Sequence, residues 1–279
     1  MMQPKLGILA GQGSLPEDLI AACRSDNRPF FVLAFKGQTP ESLVADAVPH
    51  AWVRLGALGR AIQLLKEAGV EEVVMAGGMQ RPSFATLMPD AEGARFLASG
   101  AFMKGDDGLL TALIDYIEQQ AGFRVVGPDS LLPAQLAEPG VWGQIQPSRS
   151  ACEDIAKAAR VVSILGEEDV GQGAVCQQGL ILAVEAIEGT AAMIERSAGL
   201  KREGEGPVLV KRAKPGQESR VDRPAIGPDT VKQAAEAGFS GIAVGTGEAM
   251  VMSKGDLVAL ADREGLFVCG FDPESHDVP

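Results

Sequence analysis

Short apolar runs alternate with amphipathic stretches through the first half of the chain, which is how a parallel α/β fold reads in sequence. KLGILA at 5–10 predicts a strand, and GQGSLPEDL follows at once. There Ser14 stands where a helix cap is needed and Pro16 suits the first turn. Glu17 and Asp18 complement the positive end of the helix dipole. PFFVLAF at 29–35 predicts the next strand. GALGRAIQLLKEAG at 56–69 repeats apolar residues at helical spacing and stops at Gly69, ahead of a strand in EEVVMAG at 71–77. DDGLLTALIDYIEQQAG at 106–122 predicts a longer amphipathic helix, and FRVVG at 123–127 closes this half.

From about 128 to 148 the pattern fails, with Pro128, Pro133, Pro139 and Pro147 interrupting any period. The expected organisation is therefore an N-terminal Rossmann-like nucleotide- or phosphate-binding domain at 1–133, a linker at 134–149 and a C-terminal catalytic α/β domain at 150–279. The second half restarts with a helix at about 150–165. Apolar segments follow at 179–186, 207–210, 241–245, 250–252 and 265–271, with helices at 228–238 and 253–265. The fold class is α/β twice over, the first sheet mainly parallel and the second mixed.

Composition narrows the function. A net charge of −12 argues against general nucleic-acid binding, which rests on neutralising phosphates with Lys and Arg. Cys23, Cys152, Cys176 and Cys269 are scattered, without a CxxC pair, so they are expected as reduced structural thiols. With only His50 and His276, a histidine-rich metal centre is excluded, and any metal is expected to be a hard ion such as Mg²⁺ on carboxylates and phosphates. MMQPKLGILAGQGSLP lacks the layout of a signal peptide, and no apolar run approaches the roughly 20 residues of a membrane span. A cytoplasmic protein is expected, with peripheral contact at a membrane surface left open.

Five stretches carry candidate chemistry. Gly11 and Gln12 follow the first strand, where backbone N–H groups of a Gly-rich loop approach anions, although the third glycine of a dinucleotide fingerprint is missing. Gly77 and Gly78 in MAGGMQRP belong on the same carboxyl edge, which favours a ligand crevice. KGDDG adds Lys104, Asp106 and Asp107 at a helix start, where the acids serve the dipole or a ligand. In DVGQGAVCQQGLILAVEAIEGT, Gln172 lies in a tight turn between glycines and Glu188 precedes Gly189 and Thr190. Glu185 sits in an apolar strand, where a carboxylate is costly unless paired or metal-bound. KRAKPGQESRVDRPAIGP, finally, surrounds Asp222 with Lys211, Arg212, Lys214, Arg220 and Arg223. An exposed Asp between arginines is most often a weak surface pair. The same arrangement suits phosphoryl chemistry, in which cations bind phosphate oxygens and the carboxylate holds metal or orients water.

Taken in order, LGILAGQGSLP, VVMAGGMQRP, MPD, KGDDGLL, DVGQGAVCQQGLILAVEAIEGT, KPGQESRVDRPAIGPDTV and GIAVG resemble the LpxI family of UDP-2,3-diacylglucosamine pyrophosphatases of lipid A biosynthesis in Gram-negative bacteria. The resemblance implies hydrolysis of the UDP-2,3-diacylglucosamine pyrophosphate to UMP and 2,3-diacylglucosamine 1-phosphate (lipid X), with Mg²⁺ and with water directed at the β-phosphorus. It further implies two domains clasping a lipid-linked sugar nucleotide, a homodimer, and a catalytic aspartate in the R-x-D-x-P motif, here Asp222. On that reading Asp222 and Glu185 hold metal, and Lys211, Lys214 and Arg220 stabilise phosphoryl charge. Gly11, Gln12, Gly77, Gly78, Lys104, Asp106, Asp107, Gln172, Gly189 and Thr190 line the substrate site. Gln12, Ala191 and Arg223 depart from the residues usual in the family. The rival expectation is a non-catalytic carrier of such a nucleotide. A nicotinamide-dependent oxidoreductase would rest on the first glycine loop alone.

Overall fold

In the computed structural model of the chain, which describes residues 3–45, 47–79, 87–100, 106–216 and 218–277, strand β1 (Leu6–Ala10) is buried at every position. The reason is its place in the sheet. β1 pairs in parallel with β2 (Phe30–Phe35) on one side and with β4 (Glu72–Ala76) on the other, while β3 (His50–Val53) joins β2 and β5 (Arg124–Val125) joins β4. A central parallel strand needs apolar side chains on both faces, and LGILA supplies them. The order β3-β2-β1-β4-β5 is that of a Rossmann-like sheet. Helices α1 (Leu15–Ser25), α2 (Leu58–Glu67), α3 (Ala91–Ala98), α4 (Asp106–Tyr116) and α5 (Pro128–Leu131) complete the first compact unit, Met1–Pro133. Leu19 and Ile20 of α1 pack on Leu6, Ile8, Val32 and Val74.

Ser14 takes the cap position of α1 with Pro16 in the first turn, but its side chain makes no capping hydrogen bond. The long helix expected at 106–122 ends as α-helix at Tyr116 and closes with a wider π-helical turn, Ile117–Ala121, before Gly122 at φ +80°. Tyr116, the one tyrosine of the chain, donates its hydroxyl to Glu92 Oε1. Burial, reinforced by this carboxylate, pushes the phenol up to about 12. In an alkaline titration followed at the phenolate band, the native protein is expected to stay silent through pH 10–11, where an unperturbed tyrosine ionises. The stabilisation linked to this shift is whole below pH 10 and is lost as pH climbs through 12. A phenolate signal with a midpoint near 10 in folded protein would refute it.

The second unit, Ala134–Pro279, has a six-stranded mixed sheet. Its strands are β6 (Gly140–Val141), β7 (Gly173–Gln177), β8 (Leu180–Val184), β9 (Val208–Lys211), β11 (Gly241–Gly245) and β13 (Phe267–Phe271), in the order β6-β13-β11-β9-β7-β8. β9, β11 and β13 run parallel; β6, β7 and β8 are antiparallel to their neighbours. A short parallel pair, β10 (Ala225–Ile226) with β12 (Met250–Val251), lies outside it. The helices are α6 (Arg149–Glu167), α7 (Gly189–Ala198), α8 (Pro228–Glu236) and α9 (Lys254–Glu264). Both faces of the sheet are covered, which accounts for the unbroken burial of β9. Val208 and Val210 pack with Ile155, Ala158 and Val162 of α6, while Leu209 packs with Ile194 of α7 and Val231 of α8.

Several elements have no counterpart in the sequence reading: β3, α3, β6, β7 and α7. Residues 134–149, read as a linker, include β6, which adds to the sheet edge beside β13. β7 and β8 form a two-residue hairpin through Gln178 (φ +53°) and Gly179 (φ +72°), the left-handed pair such a turn requires. Asp154 of α6 holds that turn, its carboxylate accepting from Gln178 N at 2.8 Å and Gly179 N at 2.6 Å. The four cysteines are unbridged. Burial pushes the Cys176 and Cys269 thiols up to about 12, as suits structural residues.

Candidate active site

Strand parity delivers Lys211 to its position. On β9 it shares a face with Leu209, the face covered by α7, and as the last residue of the strand it stands at the sheet's edge. It is only 6% exposed, so its ammonium must be answered locally. Lys211 Nζ donates to Thr190 Oγ1 at 2.6 Å and lies 3.8 Å from Glu185 Oε2, while Thr190 Oγ1 donates to Glu185 Oε1 at 2.6 Å. Glu185 is 9% exposed and stands one residue beyond β8, which ends at Val184, and not inside the strand as the sequence suggests. Its backbone N–H still donates to Gly173 O at 2.8 Å, continuing the ladder by one bond. Gly189 at φ +78° turns the chain into α7 and so places Thr190 over Glu185.

Gln172 stands in the turn that enters β7. A Cβ on Gly171 would come within 2.1 Å of the backbone Glu185 O, which requires glycine there, and one on Gly173 within 2.6 Å of Glu185 Oε2, which would displace that carboxylate. The Gln172 side-chain amide Nε2 donates to both oxygens of Asp222, at 3.0 and 3.1 Å, and the backbone O of Gln172 accepts from Arg212 N at 3.1 Å. A residue next to Glu185 thereby orients the carboxylate fifty positions away. Among the described residues, nothing donates a hydrogen bond to two buried oxygens here, Gln172 Oε1 and Glu185 Oε2.

The other cations of the motif are engaged as well. Lys214 Nζ lies 2.5 Å from Asp169 Oδ1, and Arg220 Nη2 lies 2.8 Å from Glu218 Oε2. The Arg220 hydrogen bond holds the Glu218 carboxyl below its ordinary range. Arg212, half-buried beside the same edge, donates to Glu248 Oε1 at 3.1 Å and to Pro273 O at 2.9 Å, and Glu248 Oε2 accepts from Ala213 N at 3.1 Å. Burial, with Arg212 next in effect, holds His276 below the usual imidazole value. Arg212 and Glu248 are residues the sequence reading passes over as site candidates. The signal for Glu248 was the Gly-rich GTGE after the apolar strand GIAVG, the same pattern that drew notice at Gly11.

In the first unit, Gly11, Gln12, Gly77 and Gly78 meet each other. Gln12 N donates to Gly78 O at 2.8 Å, Gly78 N to Gln12 O at 3.0 Å and Gly11 N to Ala76 O at 2.7 Å. These three N–H groups bond within the protein. The two loops also approach closely: a Cβ on Gly77 would lie 2.2 Å from Gln12 O, and one on Gly11 2.4 Å from Gly78 O. Lys104 and residues 80–82 of MAGGMQRP lie outside the described residues. So do the side chains of Asp106 and Asp107, whose backbone opens α4. Among the described residues, no three His, Cys, Asp or Glu side chains converge as a metal-binding group, and no helix is long and apolar enough to cross a membrane.

Residues 5–135 match the family model for the LpxI N-terminal domain and residues 138–269 that for the LpxI C-terminal domain. The UDP-2,3-diacylglucosamine pyrophosphatase LpxI of Caulobacter vibrioides is 40% identical over 278 residues, covering 97% of this chain and 98% of that protein. A crystal structure of N5-carboxyaminoimidazole synthase from Aspergillus clavatus matches 71% of this chain and 44% of its own, at 12% identity and a TM-score of 0.24. That likeness is too slight to bear on the site.

Proposed function

The chain belongs to the LpxI family, and from that premise we propose that it hydrolyses UDP-2,3-diacylglucosamine to UMP and 2,3-diacylglucosamine 1-phosphate. The observation that carries the reading is the Asp222 carboxylate, held by both oxygens on Gln172 at the edge where the buried Lys211 ends its strand. In this reading the oxygen of water bonds to the β-phosphorus, the bond from that phosphorus to the bridging oxygen breaks, and UMP departs with that oxygen. Asp222 orients the attacking water, whose proton passes to solvent as the new P–O bond forms. Lys211 places positive charge at the sheet edge, where the pentavalent phosphoryl group gains negative charge. Lys214 and Arg220 serve the same end by sharing their charge between substrate and their carboxylate partners.

Mg²⁺ belongs to the proposal. It takes one or two carboxylates and completes its shell with water and substrate phosphate. The donors here suit that habit, because Gln172 Oε1 and Glu185 Oε2 are hard oxygens that accept no hydrogen bond among the described residues. Asp222 and Glu185 would hold the ion, which when bound neutralises phosphoryl charge and acidifies water. Hydrolysis in ¹⁸O-water tests the reading. Label is expected in 2,3-diacylglucosamine 1-phosphate and not in UMP. Label in UMP would move the attack to the α-phosphorus, and release of no UMP would make the chain a carrier.

A further inference from the structure

The first unit carries a cleft of about 260 Å³ at the carboxyl ends of β2 and β3, and none of its lining residues belongs to the candidate active site. Lys36 follows β2, Trp52 lies in β3, Arg54 follows β3, and Arg60 comes from the first turn of α2. Parallel pairing explains the convergence. Lys36 N donates to Val53 O at 2.9 Å, so two adjacent strand ends deliver their next residues to one place. All three cationic side chains are exposed, and among the described residues none of them enters an ion pair. Elsewhere in this chain of net charge −12, Arg28, Arg124, Arg196, Lys211, Arg212 and Lys254 each have a carboxylate partner.

Like charges gathered without counter-ions repel one another, and a bound anion relieves that repulsion. One carboxylate, Asp90, also lines the cleft, but it is committed. Its Oδ1 accepts from Gly93 N at 2.8 Å, capping α3, and its Oδ2 accepts from Arg60 N at 3.0 Å at the start of α2. The dipole of α2 is thus already answered, and a ligand anion has to be held by side chains. Trp52 adds an aromatic wall of the kind on which bases stack. The volume falls just below the roughly 300–1,000 Å³ of sites that enclose a whole drug-sized ligand, so it suits part of a molecule.

We propose that this cleft binds the phosphate end of a nucleotide, with Lys36, Arg54 and Arg60 on the phosphoryl oxygens and Trp52 against the base or ribose. That the nucleotide is a uridine phosphate rests on the pyrophosphatase reading, whereas the cation-and-aromatic chemistry of the cleft does not. Equilibrium dialysis of UMP against the full chain tests it. Wild type is expected to bind saturably and more weakly at high salt. Arg54→Ala, and Lys36→Ala with Arg60→Ala, should weaken binding at least about tenfold, the scale of one charge-assisted hydrogen bond. Uridine, which lacks phosphate, should not be retained. Quenching of Trp52 fluorescence in the Trp142→Phe chain gives a second readout. Absence of saturable UMP binding, equal retention of uridine, or binding indifferent to both sets of variants would overturn the cleft. The two proposals fail separately. A chain that holds UMP through Arg54 but releases none from UDP-2,3-diacylglucosamine loses the hydrolase reading and keeps the cleft. One that hydrolyses but binds UMP independently of Arg54 loses the cleft alone.

Discussion

Asp222→Ala is expected to lower turnover of UDP-2,3-diacylglucosamine by about 10³-fold, within the range for loss of a group that acts in the transition state. KM should change little, because the groups assigned to ground-state binding remain in place. The geometry makes the aspartate more than one charge among many. Its carboxylate is the acceptor of a two-point hydrogen bond from Gln172, and Gln172 is itself fixed by Arg212 N at its carbonyl and by the glycines flanking it. Asp222→Asn keeps the size but replaces one acceptor oxygen with a donor facing the Gln172 amide. It should therefore fall nearly as far. An Asn variant retaining more than a tenth of wild-type turnover would remove Asp222 from the chemistry.

Glu185→Ala is expected to cost about 3–5 kcal/mol of folding free energy, read as a lower urea midpoint at unchanged slope. The size of the effect comes from what is left behind. Lys211 is 6% exposed, and among the described residues its partners are Thr190 Oγ1 and Glu185, so deleting Glu185 removes the carboxylate that answers a buried ammonium. Combining Glu185→Ala with Lys211→Met should recover much of the loss, since no buried charge then remains. A single-variant loss under about 1 kcal/mol would mean that water reaches Lys211 and that the pair resembles a surface one.

These two residues also show what the sequence offers and where it stops. The carboxylate among Lys211, Lys214, Arg220 and Arg223 is a local pattern, but it was the ordered set of motifs resembling the LpxI family that singled out Asp222. Its partner Gln172 was visible only as a polar residue in a Gly-Gln-Gly turn, since nothing local says that this turn reaches Asp222. Glu185 drew notice as an acid in an apolar stretch, but the strand end at Val184 and the contact with Lys211 depend on β8, β7 and β9 lying side by side. The glycine loops at Gly11 and Gly77 were placed on one edge by strand order, yet their hydrogen bonds to each other appear only when both loops are seen together.

What the sequence by itself determined is the set of strongly periodic elements and their class. β1, β2, β4, α1, α2, α6, α8, α9, β11 and β13 all follow from apolar period, glycine stops and proline starts, which act over a few residues. Elements with weak or mixed patterns needed the tertiary structure: β3 with its exposed His50, β7 with its closing Gln177, and α7, whose start reads as a ligand loop. Only the fold could decide that Lys211 is buried against Glu185 and that Lys36, Arg54 and Arg60 line one cleft with Trp52, without an ion pair among the described residues. Burial and charge pairing are set by which strands become neighbours, and the cost of an unanswered charge is fixed by surroundings that the local sequence does not contain.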